Sequence, residues 1–264
     1  MRPGESFALC LGSTYQRVGD KLKIIHVVAG FSIDFPGGIT NYVRTLAASQ
    51  IADGHVVSVI DGAEATRNHP DGFKVVGYKG NIRPFVVSCK VDVDGTARLN
   101  RILEDELPDL IHFHLTVGFG EDFYEQFTAK GLKYVVSMHD YYLICPRITM
   151  MDYAGRNCGG PERRKCEMCI GQLDQVDLLY KAARRVHVTL PRIPSHAVTA
   201  RNEKIGTFLR GAAAVLPVSD RVRELAAGSF PDLRYVVAHI GNSSAVAERP
   251  AKTPSPKLRL SFMG

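Results

Sequence analysis

No apolar run in the 264 residues approaches the roughly 20 that a membrane-spanning helix needs. The opening residues 1–21 offer only Phe7-Ala8-Leu9-Cys10-Leu11 as an apolar core, too short for a secretory signal, and are expected to form a disordered lead. Blocks of one charge are also scarce. The formal charge of +6 and pI of about 9.0 come from Lys and Arg scattered among acids, apart from Arg163-Arg164-Lys165 and Arg184-Arg185. That pattern argues against a dedicated nucleic-acid binder and for mild attraction to anionic ligands or a membrane surface. Internal repeats are absent, and the first strand is not followed by G-x-G-x-x-G. A cytoplasmic location is expected, peripheral attachment to the inner face of the membrane being compatible with the basic balance, and there the six cysteines would be reduced thiols or metal ligands.

The chain does contain a repeated alternation of strands and helices. Lys23-Ile24-Ile25-His26-Val27-Val28-Ala29-Gly30 is almost continuously apolar, as a parallel strand buried on both faces should be. After Phe35-Pro36-Gly37-Gly38, the residues Ile39, Val43, Leu46, Ala47 and Ile51 recur at helical spacing, and Val56-Val57-Ser58-Val59-Ile60 reads as a second strand. Further strands are predicted over 73–78, 109–114, 133–138, 213–218 and 235–240, and helices over 96–107, 120–130, 173–188, 198–210 and 220–227. This order predicts an α/β fold: a doubly wound, mainly parallel Rossmann-like sheet with a Cys-rich loop insertion. The predicted organisation is a lead over 1–21, one Rossmann-like domain over 22–246, a proline-containing linker over 247–257, and a fresh strand over 258–264.

The residues able to carry chemistry gather at strand ends. Gly37 and Gly38 stand between a strand and a helix start, where backbone N–H groups can approach a phosphate; a tight turn needing positive φ is the alternative. His139 follows a buried strand and precedes Asp140, which could fix its tautomer; a satisfied strand-end histidine is the plainer reading. His112 and His114, two apart, share one face of a strand, a spacing able to hold a metal but with no third ligand evident. His112 is expected to be structural and His114 to lie near the site's rim. Cys166-Glu167-Met168-Cys169 forms a C-x-x-C knuckle with Cys145 and Cys158 upstream. Four thiolates could close a structural metal site, with zinc preferred to an iron–sulfur cluster; free thiols or a disulfide are the alternatives. Arg147, Arg156, Arg163, Arg164 and Lys165 would offset its negative charge.

Taken in order, several landmarks resemble the amino-terminal, acceptor-side half of retaining GT-B glycosyltransferases of the family 4 type. They are Pro36-Gly37-Gly38 before a helix, Asp109-Leu110-Ile111-His112-Phe113-His114, Val135-Val136-Ser137-Met138-His139-Asp140, Val215-Leu216-Pro217-Val218-Ser219 and Gly241-Asn242. The resemblance implies two Rossmann-like domains across a cleft, the second beginning with Leu258-Arg259-Leu260-Ser261-Phe262-Met263-Gly264. It implies a nucleotide-diphosphate sugar as donor, a glycan or lipid-linked sugar as acceptor, and no catalytic metal. Gly37 and Gly38 would lie against the donor diphosphate, while His139 with Asp140 would line the cleft in a supporting role. His114, Ser219 and Asn242 would approach the same cleft, although capping and turn formation explain Ser219 and Asn242 equally well. The paired-glutamate motif that grips the donor sugar in this family is absent from the sequence, so the chain alone is expected to be inactive. Two alternatives stand beside this reading. One is a non-catalytic glycan-binding or partner-dependent module. The other is a nucleotide-binding oxidoreductase, disfavoured by the first turn and sustained only by Asp61 at the end of the second strand.

Overall fold

The computed structural model describes residues 21–31, 37–62, 65–80, 91–152, 154–170, 182–183, 185–188 and 196–241. The expected lead, linker and final strand, most of the expected helix over 173–188, Asn242, Pro36, Cys10 and Cys89 lie outside them.

Seven strands form one sheet in the order β3-β4-β2-β1-β5-β6-β7. They are β1 (Lys23–Val28), β2 (Val56–Asp61), β3 (Arg67–Asn68), β4 (Lys74–Gly77), β5 (Leu110–Leu115), β6 (Tyr134–Met138) and β7 (Ala214–Pro217). All neighbours run parallel except the short β3, which pairs antiparallel with β4. The helices are α1 (Gly38–Ala52), α2 (Val93–Glu106), α3 (Glu121–Thr128), α4 (Arg163–Ile170), α5 (Ala197–Gly211) and α6 (Asp220–Ser229). The predicted α/β fold is the one observed. From β1 the chain steps outward through β2 to β4, then returns to β5 on the other side of β1. The topological switch therefore lies between β1 and β5, where ligands of such sheets collect beyond the carboxyl ends.

Period-two alternation sends the side chains of β1 and β5 to opposite faces. Ile25, Val27, Ile111 and Phe113 enter one core, built with α2, α3, α5 and α6. The other core contains Val28, Val57, Val59 and Leu115 with Val43 and Ala47 of α1. The first is dominated by rings. Phe113 meets Phe123, Phe127, Tyr134 and Phe208 at centroid distances of 5.8, 5.1, 5.8 and 5.2 Å, three of the four contacts edge-on or nearly so and the fourth tilted. Tyr134 also donates its hydroxyl to the Phe208 carbonyl at 2.5 Å, tying β6 to α5.

Three expectations need correction. Residues 235–240 do not form a strand. Tyr235 makes only an isolated parallel bridge to Val215, with Val236 and Ala238 donating to the Val215 and Pro217 carbonyls. The segment runs half-exposed outside β7, without the two-sided burial that made its apolar residues look like a core strand. The two-residue β3 was missed because so short a pairing leaves no periodic signal. Helix α4 arises inside the loop expected to be irregular, since Arg163-Arg164-Lys165-Cys166-Glu167-Met168 contains no glycine or proline to stop it. Among the described residues, no helix is long and apolar enough to cross a membrane.

The ring cluster makes a stability prediction. Phe208→Ala should lower the unfolding free energy by about 3–5 kcal/mol, the usual cost of emptying an aromatic core position. Chemical denaturation checks this, with the exposed Val56→Thr expected to change little.

Candidate functional site

His26 sits on β1 opposite His112 of β5 in the register of the parallel pair, and His114 follows on the same face. The three rings are buried together under α1, with His112 and His114 centroids 3.8 Å apart. Sequence reading found no third histidine for the pair because His26 is remote in the chain and embedded in an apolar strand. The usable signal was the presence of any ionisable residue in such a run, since a fully buried polar group must find partners.

Those partners form a chain. Gln50 Oε1 on α1 lies 2.8 Å from His26 Nε2, His26 Nδ1 lies 2.9 Å from His114 Nε2, and His114 Nδ1 lies 3.0 Å from His139 Nε2. With the amide oxygen facing the ring, His26 Nε2–H donates to Gln50, His114 Nε2–H donates to His26, and His139 Nε2–H donates to His114. The order leaves His139 Nδ1 as a lone-pair acceptor; it is buried and lacks a hydrogen-bond partner among the described residues. Tyr42 of α1 packs edge-on against both ends of the last link, 5.8 Å from His114 and 5.1 Å from His139. His112 stands aside, its Nε2 2.8 Å from Ser137 Oγ.

Desolvation keeps these rings neutral. Burial lowers His26 to about 4, only partly opposed by Gln50, and lowers His139 to about 4. Burial, reinforced by neighbouring imidazoles, also holds His112 and His114 well below the ordinary range. At neutral pH His139 is therefore neither a cation for a diphosphate nor a strong base. It is an oriented hydrogen-bonding group. His26, His112 and His114 also place ligand nitrogens within 4.8 Å of one another. His26 Nδ1 and His114 Nε2 are already engaged with each other, and His112 Nε2 with Ser137.

The other expected site residues fall as follows. Asp140 does not orient His139; its carboxylate accepts from Tyr142 N at 2.8 Å, and burial raises its pKa. His114 is 3% exposed and lies beneath His139 rather than at a rim, so it reaches a ligand only through that ring. Gly37 is the N-cap of α1 with φ −75°, and a Cβ on Gly37 or Gly38 would meet nothing within 4 Å. Neither glycine is demanded by a positive φ or by a close neighbour among the described residues. Ser219 caps α6, its Oγ accepting from Val222 N at 3.3 Å. Asp61 is consumed internally, accepting from Phe31 N at 2.9 Å and pairing with Arg67 at 3.0 Å. It holds the β1 exit in place and has no free carboxylate for a ribose, which removes the feature that sustained the oxidoreductase alternative. Sequence reading missed Arg201 of α5, 2% exposed, which lies over the Tyr142 ring and donates to the Tyr142 carbonyl at 2.6 Å. That contact fixes the chain just after His139-Asp140.

This geometry, with a glycine-opened helix start after β1 and a histidine after β6, coincides with a family match. The model described as Glycosyltransferase Family 4 covers residues 36–241. The chain belongs to Glycosyltransferase Family 4. Among solved structures, a sucrose-phosphate synthase from Thermosynechococcus elongatus is similar in fold, with a TM-score of 0.51 and 11% identity over 84% of this chain. This chain spans 49% of that protein's length. A protein described as a UDP-N-acetylglucosamine 2-epimerase from Listeria monocytogenes reaches a TM-score of only 0.29 at 11% identity, covering 80% of this chain and 77% of that one, and carries no argument. No curated protein matches the chain. Membership in the family identifies the sheet as a Rossmann-like domain of the GT-B glycosyltransferase fold.

Two outcomes follow from the neutral relay. Above pH 6.5 folded and unfolded imidazoles are both neutral. As pH falls from 6.5 towards 4, the unfolded chain takes up protons that His26 and His139 refuse, so stability should drop by about 1.4 kcal/mol per pH unit for each. Urea midpoints at pH 7, 6, 5 and 4.5 read this directly; a flat profile would refute it. Long-range 1H–15N spectra at pH 7 should show His26, His114 and His139 as neutral Nε2–H tautomers, and Gln50→Leu should disturb that pattern.

Proposed function

We propose that this chain is the acceptor-side half of a retaining glycosyltransferase that moves a hexosyl group from a nucleotide-diphosphate sugar to a glycan or lipid-linked acceptor. The observation that supports it most is the position of His139. It follows β6 at the carboxyl edge of the sheet, with one imidazole nitrogen held by the buried relay and the other without a hydrogen-bond partner among the described residues. A neutral, oriented acceptor of this kind suits a sugar hydroxyl, and its low basicity suits positioning rather than proton abstraction. Gly37 and Gly38 would receive the diphosphate at the start of α1, where a helix N-terminus with no side-chain cap favours an anion. The donor sugar would be gripped by a second Rossmann-like domain, the one whose first strand the sequence suggests over 258–264. The reaction needs no metal in this reading. Polysaccharide or lipid-linked glycan assembly at the inner face of the membrane accords with the +6 charge.

Isothermal titration of the 264-residue chain with nucleoside diphosphates and nucleotide sugars tests the division of labour. Binding should be weak or undetectable, and transfer should appear only when a donor domain is present in the same polypeptide. Micromolar nucleotide binding by this chain alone would overturn it. In the two-domain protein, His139→Ala should reduce transfer by about 10²-fold, the scale of a lost positioning contact. Gly38→Ala should leave thermal stability unchanged or slightly raised, by up to about 1 kcal/mol, while weakening use of the donor. A loss of stability in that variant would mark the glycine as structural instead.

A further inference from the structure

Beyond the transferase site, the segment between β6 and α5 brings four thiols together from three separate pieces of backbone. Cys145 lies in the turn that follows β6, its N–H donating to the Tyr141 carbonyl at 2.6 Å. Cys158 ends a tight antiparallel turn: Met151 bridges Asn157, and Cys158 N donates to the Met150 carbonyl at 3.0 Å. Gly159 and Gly160 follow with φ of 71° and 149°, a left-handed exit that side chains rarely adopt. Cys166 and Cys169 stand three apart on α4, hence on one side of it. All four line one cavity of about 260 Å³, with Met151, Ile170 and Val198 as apolar wall.

The thiols lie close enough to act on one another electrically. Cys145 is pushed up to about 11, first by burial and further by Cys166, Cys158 and Cys169. Burial likewise raises Cys166 and Cys169. A second observation points to negative charge at the same place. The Arg147 guanidinium lies beside Cys169, whose thiol it draws down against burial, yet its Nε and Nη1 are buried without a hydrogen-bond partner among the described residues. Lys165 donates to the Cys158 carbonyl, and Arg156 lies on the cavity wall. Arg156 is paired with Asp152 of the same wall at 3.0 Å, so Arg147 is the cation whose buried nitrogens still want an acceptor; four thiolates on a divalent ion would carry a net charge of −2 and supply it.

We propose that Cys145, Cys158, Cys166 and Cys169 are the ligands of a four-thiolate metal centre that fastens this segment to the sheet. The site is anchored on both sides. Glu167, between the two cysteines of α4, accepts from Thr199 Oγ1 of α5 at 2.9 Å, and Arg201 of α5 holds Tyr142. A metal here would connect the residues just after His139 to α4 and, through Glu167, to α5. No three of the four sulphurs lie within 4.8 Å of one another. A closed tetrahedral zinc site has sulphurs roughly 3.8 Å apart, so the loop contracts on binding zinc, whereas a cluster with Cys₄ ligation needs less contraction. Both ions share the thiolate chemistry.

Metal analysis of the purified 264-residue chain, prepared without oxygen, tests the centre. About one zinc per chain without visible colour, or iron with acid-labile sulphide and absorbance near 400 nm, supports it and identifies the ion; metal-free protein after expression with both metals supplied overturns it. X-ray absorption on the same sample needs no variant: sulphur ligation supports the proposal, and nitrogen ligation at about 2.0 Å overturns it in favour of His26, His112 and His114. Cys166→Ser with Cys169→Ser should abolish the metal, while His112→Gln should retain it.

Discussion

Burial of imidazoles in the middle of a parallel sheet is the constraint on which the site depends. Pairing β1 with β5 sets His26 opposite His112, and the two-residue period adds His114 on the same face. Removed from water, these rings are neutral and must find partners: His112 takes Ser137, while His26 and His114 join His139. A neutral imidazole has one donor and one acceptor, so three of them can run in series without a stranded nitrogen between links. The series begins at Gln50 on α1 and ends at His139 beyond β6. It therefore couples the helix whose start is opened by Gly37 and Gly38 to the residue proposed to meet the sugars.

The opposite face of the sheet supplies rigidity rather than chemistry. Phe113 shares β5 with His112 and His114 but points into the ring cluster of Phe123, Phe127, Tyr134 and Phe208. One strand thus carries an apolar anchor and a polar relay on alternating residues, and any slip of its register would exchange the two. Around this frame, loops are held by single buried charges. Asp61 and Arg67 fix the exit from β1, and Arg201 fixes the exit from β6. The cysteine segment holds only α4 as regular structure between β6 and α5 among the described residues, and a four-thiolate centre would give it cross-links.

Much of the fold was legible because its signals are local. Continuous apolar runs separated by helical periodicity specified six of the seven strands, and Ser219 could be recognised as a helix cap from its place before Asp220. The order of landmarks from Pro36 to Gly241 carried the family resemblance, and residues 36–241 match the family. Misreadings arose where a local pattern depends on distant cover. The apolar residues over 235–240 looked like a core strand, but only β7 lies beside them.

For the site, the sequence by itself determined which chemical groups exist at the strand ends: Gly37, Gly38, His139 and four cysteines of suggestive spacing. It could not determine what each group touches. Asp140 follows His139 directly yet bonds Tyr142, whereas His114, separated from His139 by 25 residues, supplies the contact. His26 and Gln50 entered only through strand register and helix packing. Hydrogen-bond partnership and desolvation depend on distances of a few ångströms between chain-remote atoms, and only the folded sheet decides those.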